Sequence, residues 1–228
     1  EEWGIECQNK FNGMWAFAWL DTRNRRLVIS RDRAGVKPLH VFLTRNELLF
    51  ASEVKTILAM AECKFQLDYQ VIGEFLHQSL LEATESTFFK DIKKLPAAHY
   101  AIIDLDAEQL CMDVSRYWYI PQQPPSFSSE EDLAASLKDI FFDAVRLRLR
   151  SDVPVGVLLS GGIDSCSIAT AMQSILGKDA ELNLMSAVSN DKRFDESYFI
   201  DISSVIFMFI LTSLINRLSL CLFNVKLQ

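Results

Sequence analysis

The first half of the chain alternates short apolar runs with polar turn segments. Runs rich in aromatic and branched residues predict β-strands, because such side chains suit the half-buried faces of a sheet. The polar segments between them contain Asp, Asn, Gly and Arg, which favour tight turns and therefore an antiparallel arrangement. The predicted strands are MWAFAWLD (14–21), RRLVIS (25–30), PLHVFL (38–43), ELLFAS (47–52), 98–105 and 109–119, with helical patterns at 53–60 and 69–81.

The pattern then changes to that of a linker followed by a helix. PQQPPSFSS (121–129) carries three prolines and three serines, a composition typical of a connection between domains. Ser128 or Ser129 can cap a helix that begins at Glu130. The apolar residues of this helix recur at helical spacing and predict one buried face, made of Leu133, Leu137, Ile140, Phe141, Ala144 and Val145.

The segment after this helix has the pattern of a parallel α/β domain. A strand at 155–159, a glycine turn, a helix at 165–176 and a strand at 182–188 form a βαβ unit. We therefore expect an antiparallel α+β domain over 1–120 and the start of a parallel α/β domain over 130–201.

Residues 202–228 form an apolar tail that fits none of these patterns. A membrane span needs about 20 apolar residues. Residues 202–225 reach that length only by burying Arg217, at a cost of about 2.5–3.5 kcal/mol. The alternatives are a buried core segment and a misread gene end, such as an intron or a frameshift. We favour the misread end, because the pattern of the tail matches nothing around it, and leave the segment unassigned.

Composition narrows the class of protein. The 228 residues carry a net charge of -7, which argues against a nucleic-acid or anionic-membrane partner. The five cysteines are far apart and form no CxxC pair, so we expect reduced thiols in a cytoplasmic protein rather than disulfides or a zinc site. The chain begins Glu-Glu-Trp, without an initiator methionine or a signal-peptide pattern, and we expect a processed chain or a fragment.

The most informative segment is Ser-Gly-Gly-Ile-Asp-Ser, residues 160–165, between an apolar strand and a helix. Two glycines let backbone N–H groups face one point, and the helix N-terminus adds unpaired N–H groups and its positive dipole end. Such a junction holds phosphate or pyrophosphate, and the Ser160 and Ser165 hydroxyls can add donors. Asp164 by itself repels phosphate, so we expect it to hold Mg²⁺ that bridges the phosphate oxygens.

This hexad after an apolar strand resembles the pyrophosphate loop of the ATP pyrophosphatases, which adenylate a substrate and release pyrophosphate. In its longer form, DVPVGVLLSGGIDS (152–165), the segment resembles the glutamine-hydrolysing asparagine synthetases. Other segments are similar to the second half of that family's class II amidotransferase domain and to its synthetase domain: FNGMWAFAWLD (11–21), RDRAGVKPLHVFLTRNELLFASEVKTIL (31–58), TFFKDIKKLPAAHYAI (87–102) and FDES (194–197).

The resemblance implies a two-site enzyme of asparagine biosynthesis. In the family, an N-terminal nucleophile hydrolase-type domain releases ammonia from glutamine. A synthetase domain uses Mg-ATP to convert aspartate into β-aspartyl-AMP, from which ammonia displaces AMP. Carried over by position, pyrophosphate and Mg²⁺ would bind at Ser160, Gly161, Gly162, Asp164 and Ser165, and adenosine would meet the backbone near Leu158, Ala187 and Val188. A homodimer is a further expectation from the full-length family.

Several family features have no counterpart in this sequence. The family's nucleophile is a cysteine at residue 1, where this chain has glutamate, and Cys7 lies in the segment that resembles the later half of the domain. The family's aspartate-binding residues would fall beyond Asp201. We expect a structural role for the residues that match family patterns elsewhere, namely Asn12, Gly13, Arg31, Asp32, Gly35, Pro38 and Cys166.

We therefore expect no catalytic residue in this chain and an incomplete set of residues for both half-reactions. The leading interpretation is an asparagine synthetase that lacks both ends. A non-catalytic relic that binds a nucleotide or a partner chain is the second. A related amidotransferase-type synthetase that acts on another carboxylate is the third.

Overall fold

The computed structural model describes residues 2–79, 84–123, 125–177, 182–187, 191, 193 and 195–206. The chain divides into two compact units, Glu1–Pro124 and Pro125–Gln228. Each unit has its own buried cluster of apolar side chains, and we describe each by itself.

The first unit contains two antiparallel sheets. One sheet has the strand order β1-β2-β6-β7 and the other the order β4-β3-β5. The strands are β1 (Ala16–Asp21), β2 (Arg26–Arg31), β3 (His40–Leu43), β4 (Leu48–Ala51), β5 (Ile92–Lys94), β6 (His99–Asp104) and β7 (Asp113–Arg116). Two helices, α1 (Val54–Met60) and α2 (Tyr69–Gln78), lie between β4 and β5 in the chain, and Gly4–Lys10 forms a 3₁₀ helix before β1.

The two sheets of the first unit pack face to face across a fully apolar layer. Ile29 and Ile103 from the four-stranded sheet meet Val41 from the three-stranded sheet in this layer. Because successive side chains of a strand point to opposite faces, the next residue, Phe42, faces the other way and contacts Ile57 of α1. The order of layers is therefore helix, sheet, sheet.

A buried turn between β2 and β3 connects the two sheets by hydrogen bonds. The Asp32 carboxylate accepts the backbone N–H groups of Trp15, Ala34, Val36 and Lys37 at 2.9–3.3 Å. The Arg31 guanidinium donates to the carbonyl oxygens of Gly35, Lys37 and Leu95 at 2.6–2.9 Å. Gly35 has a φ of +66° and leaves no free space for a Cβ atom, so the turn requires glycine there. The predicted architectural role of Arg31, Asp32 and Gly35 is confirmed.

The second unit contains α3 (Glu130–Arg148), β8 (Gly156–Leu158), α4 (Ile163–Leu176), β9 (Asn183–Met185) and α5 (Ser197–Ile206). Strands β8 and β9 pair in parallel, with Val157 opposite Leu184. The side chains of Val157 and Leu184 pack with Ala169 and Met172 of α4 and with Val145 of α3. One face of this two-stranded sheet is therefore covered by the two helices.

Some of the sequence predictions for these elements were wrong. The face of α3 is not buried along its length, because Leu133, Leu137 and Ile140 are 46%, 64% and 66% exposed. Only the C-terminal half of α3, around Val145, reaches the core of the unit. The 3₁₀ helix, β5 and α5 were not predicted, and α4 begins two residues earlier than expected, at Ile163.

The predictions about the apolar tail and the cysteines concern residues that the structure describes only in part. The tail from 207 to 228, with Cys221, lies outside them, whereas residues 202–206 belong to α5. Across the described part of the chain, no helix is long and apolar enough to cross a membrane. In that part, Cys7, Cys63, Cys111 and Cys166 form no disulfide bond.

Candidate functional site

The segment Ser160–Ser165 joins the carboxyl end of β8 to the first turn of α4. Beyond β8 the parallel pairing continues for one residue, because the Leu159 N–H donates to the Met185 carbonyl at 2.7 Å. The buried Ser186 hydroxyl donates back to the Leu159 carbonyl at 2.7 Å. These two bonds fix the point at which the chain leaves the sheet, so the loop begins from a rigid base.

The loop is held in a tight turn by its two serines. The hydroxyl oxygens of Ser160 and Ser165 lie 3.1 Å apart, and the Ser160 N–H donates to the Ser165 oxygen at 3.3 Å. The Ser165 hydroxyl also reaches the Gly162 carbonyl at 3.1 Å. Gly161 has a φ of +77°, a conformation that glycine adopts without strain. The two hydroxyl groups therefore contact each other and brace the turn from within the loop.

The first turn of α4 adds backbone donors at the same place. Its first intrahelical bond runs from the Cys166 N–H to the Gly162 carbonyl at 3.1 Å. The N–H groups of Ile163, Asp164 and Ser165 precede that bond and so have no acceptor within the helix. Together with the positive end of the helix dipole, these donors give the start of α4 the character of an oxyanion cradle, which is a candidate site.

Asp164 is the carboxylate nearest to this cradle in the sequence. It stands in the first turn of α4 with its side chain exposed, and it lines a groove of ≈ 640 Å³ between α3 and α4. Across the described residues, no group of three or more His, Cys, Asp or Glu side chains is placed to hold a metal ion.

The predicted adenosine contacts lie at the ends of the two parallel strands. Leu158 is the last residue of β8, and its side chain is 73% exposed on the face of the sheet that the helices leave open. Ala187, just past β9, is also exposed. Val188 lies outside the described residues. The open strand ends are adjacent because β8 and β9 pair directly.

Sequence reasoning missed the element that touches the loop from the other side. The first turn of α5 lies against Gly161, where its Phe199 backbone leaves no room for a side chain. The sequence FDES (194–197) was a signal for this region, since an acidic residue before a serine favours a helix start. Nothing in the pattern indicated a contact with the loop.

The first unit has a cavity of ≈ 610 Å³, lined in part by Arg31, Lys94 and Glu85. Arg31 has a structural role in this cavity, since its guanidinium donates to three carbonyl oxygens. Cys7 lies half-buried in the 3₁₀ helix, and Cys166 is half-buried against the core of the second unit. Asn12 and Gly13 precede β1 without belonging to a regular element.

Two known protein families match the chain, one in each of the two units. Residues 1–118 match the glutamine amidotransferase domain family, which covers just over half of the chain. Residues 136–205 match the asparagine synthase family. The second match includes the whole of the loop 160–165 and the first turn of α5.

Individual relatives agree with these two families. A protein of Methanocaldococcus jannaschii that bears the provisional name asparagine synthetase [glutamine-hydrolyzing] 2 is 34% identical over 201 residues, 87% of this chain and 38% of the relative. Asparagine synthetase [glutamine-hydrolyzing] 3 of Bacillus subtilis is 33% identical over 202 residues, 87% of this chain and 32% of the relative. A protein of Gibberella zeae named amidase chry2 is 30% identical over 215 residues, 90% of this chain and 31% of the relative. The chain thus spans about a third of the length of these relatives.

Proposed function

The chain belongs to the glutamine-hydrolysing asparagine synthetase family, and on that premise we propose that its second unit binds Mg-ATP for the adenylation of aspartate. The observation that carries the proposal is the loop 160–165, which lies at the carboxyl ends of a parallel strand pair and opens a helix. In open parallel sheets, ligands bind at that edge. In the complete enzyme, ammonia from glutamine would then displace AMP to give asparagine.

The donors of the loop suit pyrophosphate. Three backbone N–H groups at the start of α4 and the hydroxyls of Ser160 and Ser165 converge without a lysine, so the charge of the ligand would be met by dipoles and a metal ion. The cradle is built before the ligand arrives, which lowers the entropy cost of binding.

Asp164 fits the role of a magnesium ligand in this proposal. Mg²⁺ is commonly held by one or two carboxylates together with substrate phosphates and water, and Asp164 supplies one exposed carboxylate in the first turn of α4. When bound, Mg²⁺ would neutralise the charge that builds up on the leaving pyrophosphate. The adenosine would lie on the open face near Leu158 and Ala187, and Val188 completes the set as an expectation from the family.

The first unit corresponds to part of the glutamine amidotransferase domain, and we assign it no catalytic residue. The family's mechanism needs a nucleophilic cysteine whose own free amine takes up the proton. The amine of Cys7 is tied up in a peptide bond within the 3₁₀ helix, so Cys7 cannot act in that way. The buried Asp32 is occupied by four backbone N–H groups and serves the fold.

Calorimetric titration of the full chain with pyrophosphate, with and without Mg²⁺, tests the proposal. We expect binding that requires Mg²⁺ and that Asp164→Asn abolishes, because the amide is a poor magnesium ligand. Asp143→Asn, on an exposed position of α3, is the matched control and should leave binding unchanged. No binding by the unchanged chain, or equal binding with and without Mg²⁺, would contradict the proposal.

A second candidate differs only in the acceptor. The second candidate is a related synthetase that amidates another carboxylate, which we consider because a relative at 30% identity, amidase chry2, does not bear the asparagine synthetase name. The two candidates share the ATP site and diverge in the residues that bind the acceptor. ATP–pyrophosphate exchange by the full-length protein, measured with aspartate and then with other carboxylic acids, separates them. Exchange that depends on aspartate favours the first candidate, and exchange only with another acid favours the second.

A further inference from the structure

Gly161 packs against the backbone of α5 and the Cβ atom of Phe199. A Cβ atom built on Gly161 would lie 2.5 Å from the carbonyl carbon of Phe199, 2.6 Å from its Cβ and 2.8 Å from the amide nitrogen of Ile200. Contacts this short exclude any side chain at Gly161 unless the loop or the helix moves. The neighbouring Gly162 has only the Ser160 oxygen near its Cβ direction, at 3.4 Å, so the close fit is specific to Gly161.

Hydrogen bonds from residues just before α5 fix the conformation of its first turn. The Asp195 carboxylate accepts the Ser197 N–H at 3.1 Å and also contacts the Ser197 hydroxyl. The N–H groups of Phe199 and Ile200 both donate to the Glu196 carbonyl at 3.0 Å. The backbone atoms that touch Gly161 are therefore those whose position depends on this capped turn.

We propose that the first turn of α5, set by Asp195, positions the loop 160–165 for pyrophosphate. This inference rests on the proposed function. A glycine at φ +77° can adopt many conformations, and the contact with α5 restricts this choice in addition to the hydrogen bonds of the two serines. Asp195 is a positioning residue in this account, because it acts on the ligand through Phe199 and Gly161 without touching it.

Coupling of this kind is reciprocal. If the turn of α5 favours the ligand-binding form of the loop, then the ligand must stabilise the turn by the same free energy. Binding of Mg-pyrophosphate should therefore slow hydrogen exchange at Phe199 and Ile200. Ligand binding slows hydrogen exchange throughout the unit by general stabilisation. Hydrogen exchange in α5 therefore has to slow by more than hydrogen exchange in α3.

Two substitutions at Asp195 separate positioning from charge. Asp195→Ala removes the acceptor of the Ser197 N–H, and we expect affinity for Mg-pyrophosphate to fall about tenfold. Asp195→Asn also removes the negative charge but keeps an acceptor oxygen, so its affinity should equal or exceed that of the unchanged chain. Loss of the charge alone would strengthen anion binding, which makes a weaker Ala variant a result that electrostatics does not predict.

Gly161→Ala has its own control in Gly177→Ala. Both glycines have a positive φ, +77° and +97°, but a Cβ on Gly177 meets nothing within 4 Å. Both variants carry the backbone strain, and only Gly161→Ala should speed hydrogen exchange in α5 without ligand. Normal binding with unchanged α5 exchange, or equal affinities for the Ala and Asn variants of Asp195, would overturn this inference alone. Absence of Mg-pyrophosphate binding would overturn it together with the proposed function.

Discussion

The Tyr117 hydroxyl donates a hydrogen bond of 2.8 Å to the carbonyl oxygen of Arg31. The bond ties the segment after β7 to the end of β2, and the Tyr117 ring stacks on Trp15 at 6.2 Å between centroids. Burial, and to a lesser degree the nearby Asp32 carboxylate, raise the pKa of Tyr117 to about 12. The phenol therefore stays protonated in the folded chain well above the pH at which a free tyrosine ionises.

The raised pKa of Tyr117 predicts a loss of stability in alkali. In the unfolded chain the phenol ionises near its usual pKa of about 10, while the folded chain keeps the proton up to about 12. Below pH of about 10 both states hold the proton, so this group gives no pH dependence there. Between the two values the unfolded state alone loses its proton, so the free energy of unfolding falls as pH rises. Urea unfolding of the full chain at a series of pH values measures the fall.

Tyr117→Phe removes this alkaline component. The variant should be less stable at neutral pH by about 1 kcal/mol, the usual value of one hydrogen bond, and should show a shallower fall above pH of about 10. Tyr69→Phe, at a position 76% exposed, is the control and should keep the alkaline fall. An equal slope in the Tyr117→Phe variant and the unchanged chain would show that the buried phenol is not its cause.

Asp32→Ala should destabilise the first unit more than the same substitution of an exposed aspartate. The substitution leaves the backbone N–H groups of Trp15, Ala34, Val36 and Lys37 without their acceptor, and we expect a loss of about 3 kcal/mol. Asp21→Ala is the control, since Asp21 accepts the N–H groups of Arg23 and Asn24 in an exposed turn. Urea unfolding followed by tryptophan fluorescence gives both values. A smaller loss at Asp32 than at Asp21 would refute the structural role assigned to the buried turn.

The strands of the first unit were predictable because their apolar runs are bounded by turn residues. Strand β2, for example, pairs six residues with β1 and buries Val28 and Ile29. Strand β5 was not predictable, because it has three residues and two of them are lysines. Its identity comes from pairing with β3, and it buries Ile92 and Lys94 on the same side. Pairing between distant segments leaves no local signal in the sequence.

The second unit shows the same division between local and long-range information. The loop 160–165 was predictable, because its glycines, its serines and the start of α4 are neighbours in the sequence. Periodicity in α3 indicated an apolar face but not what covers it, and Leu137 stands exposed. The contact of Phe199 with Gly161 joins two helix starts that are far apart in the chain, so only the structure reveals it.

Ser129→Ala should shorten α3 at its N-terminal end. The Ser129 hydroxyl oxygen accepts the Asp132 N–H at 3.1 Å, which satisfies one of the free donors of the first turn. Loss of such a cap costs about 1 kcal/mol. Ser128→Ala, one residue earlier in the same exposed segment, is the control, and the two variants are compared by urea unfolding followed by circular dichroism. Equal losses would mean that Ser129 is not the cap in solution.

Ser165→Ala should weaken Mg-pyrophosphate binding about tenfold, the value of one hydrogen bond to a charged group. The hydroxyl of Ser165 supports the turn through Gly162 and lies beside the Ser160 hydroxyl, and in the proposed function it also donates to the ligand. Ser167→Ala, two residues further along α4 and exposed, is the control and should bind normally. Calorimetry of the two variants measures the difference.

The double substitution of Ser160 and Ser165 makes this prediction more specific. The two hydroxyls contact each other at 3.1 Å, so removing one leaves the other less well positioned for the ligand. The two losses in affinity should therefore not add. We expect the double variant to bind Mg-pyrophosphate more tightly than the sum of the single losses predicts. Additive losses would mean that the serines meet the ligand independently. In that case their mutual contact is a property of the empty loop and contributes nothing to the preorganisation of the site.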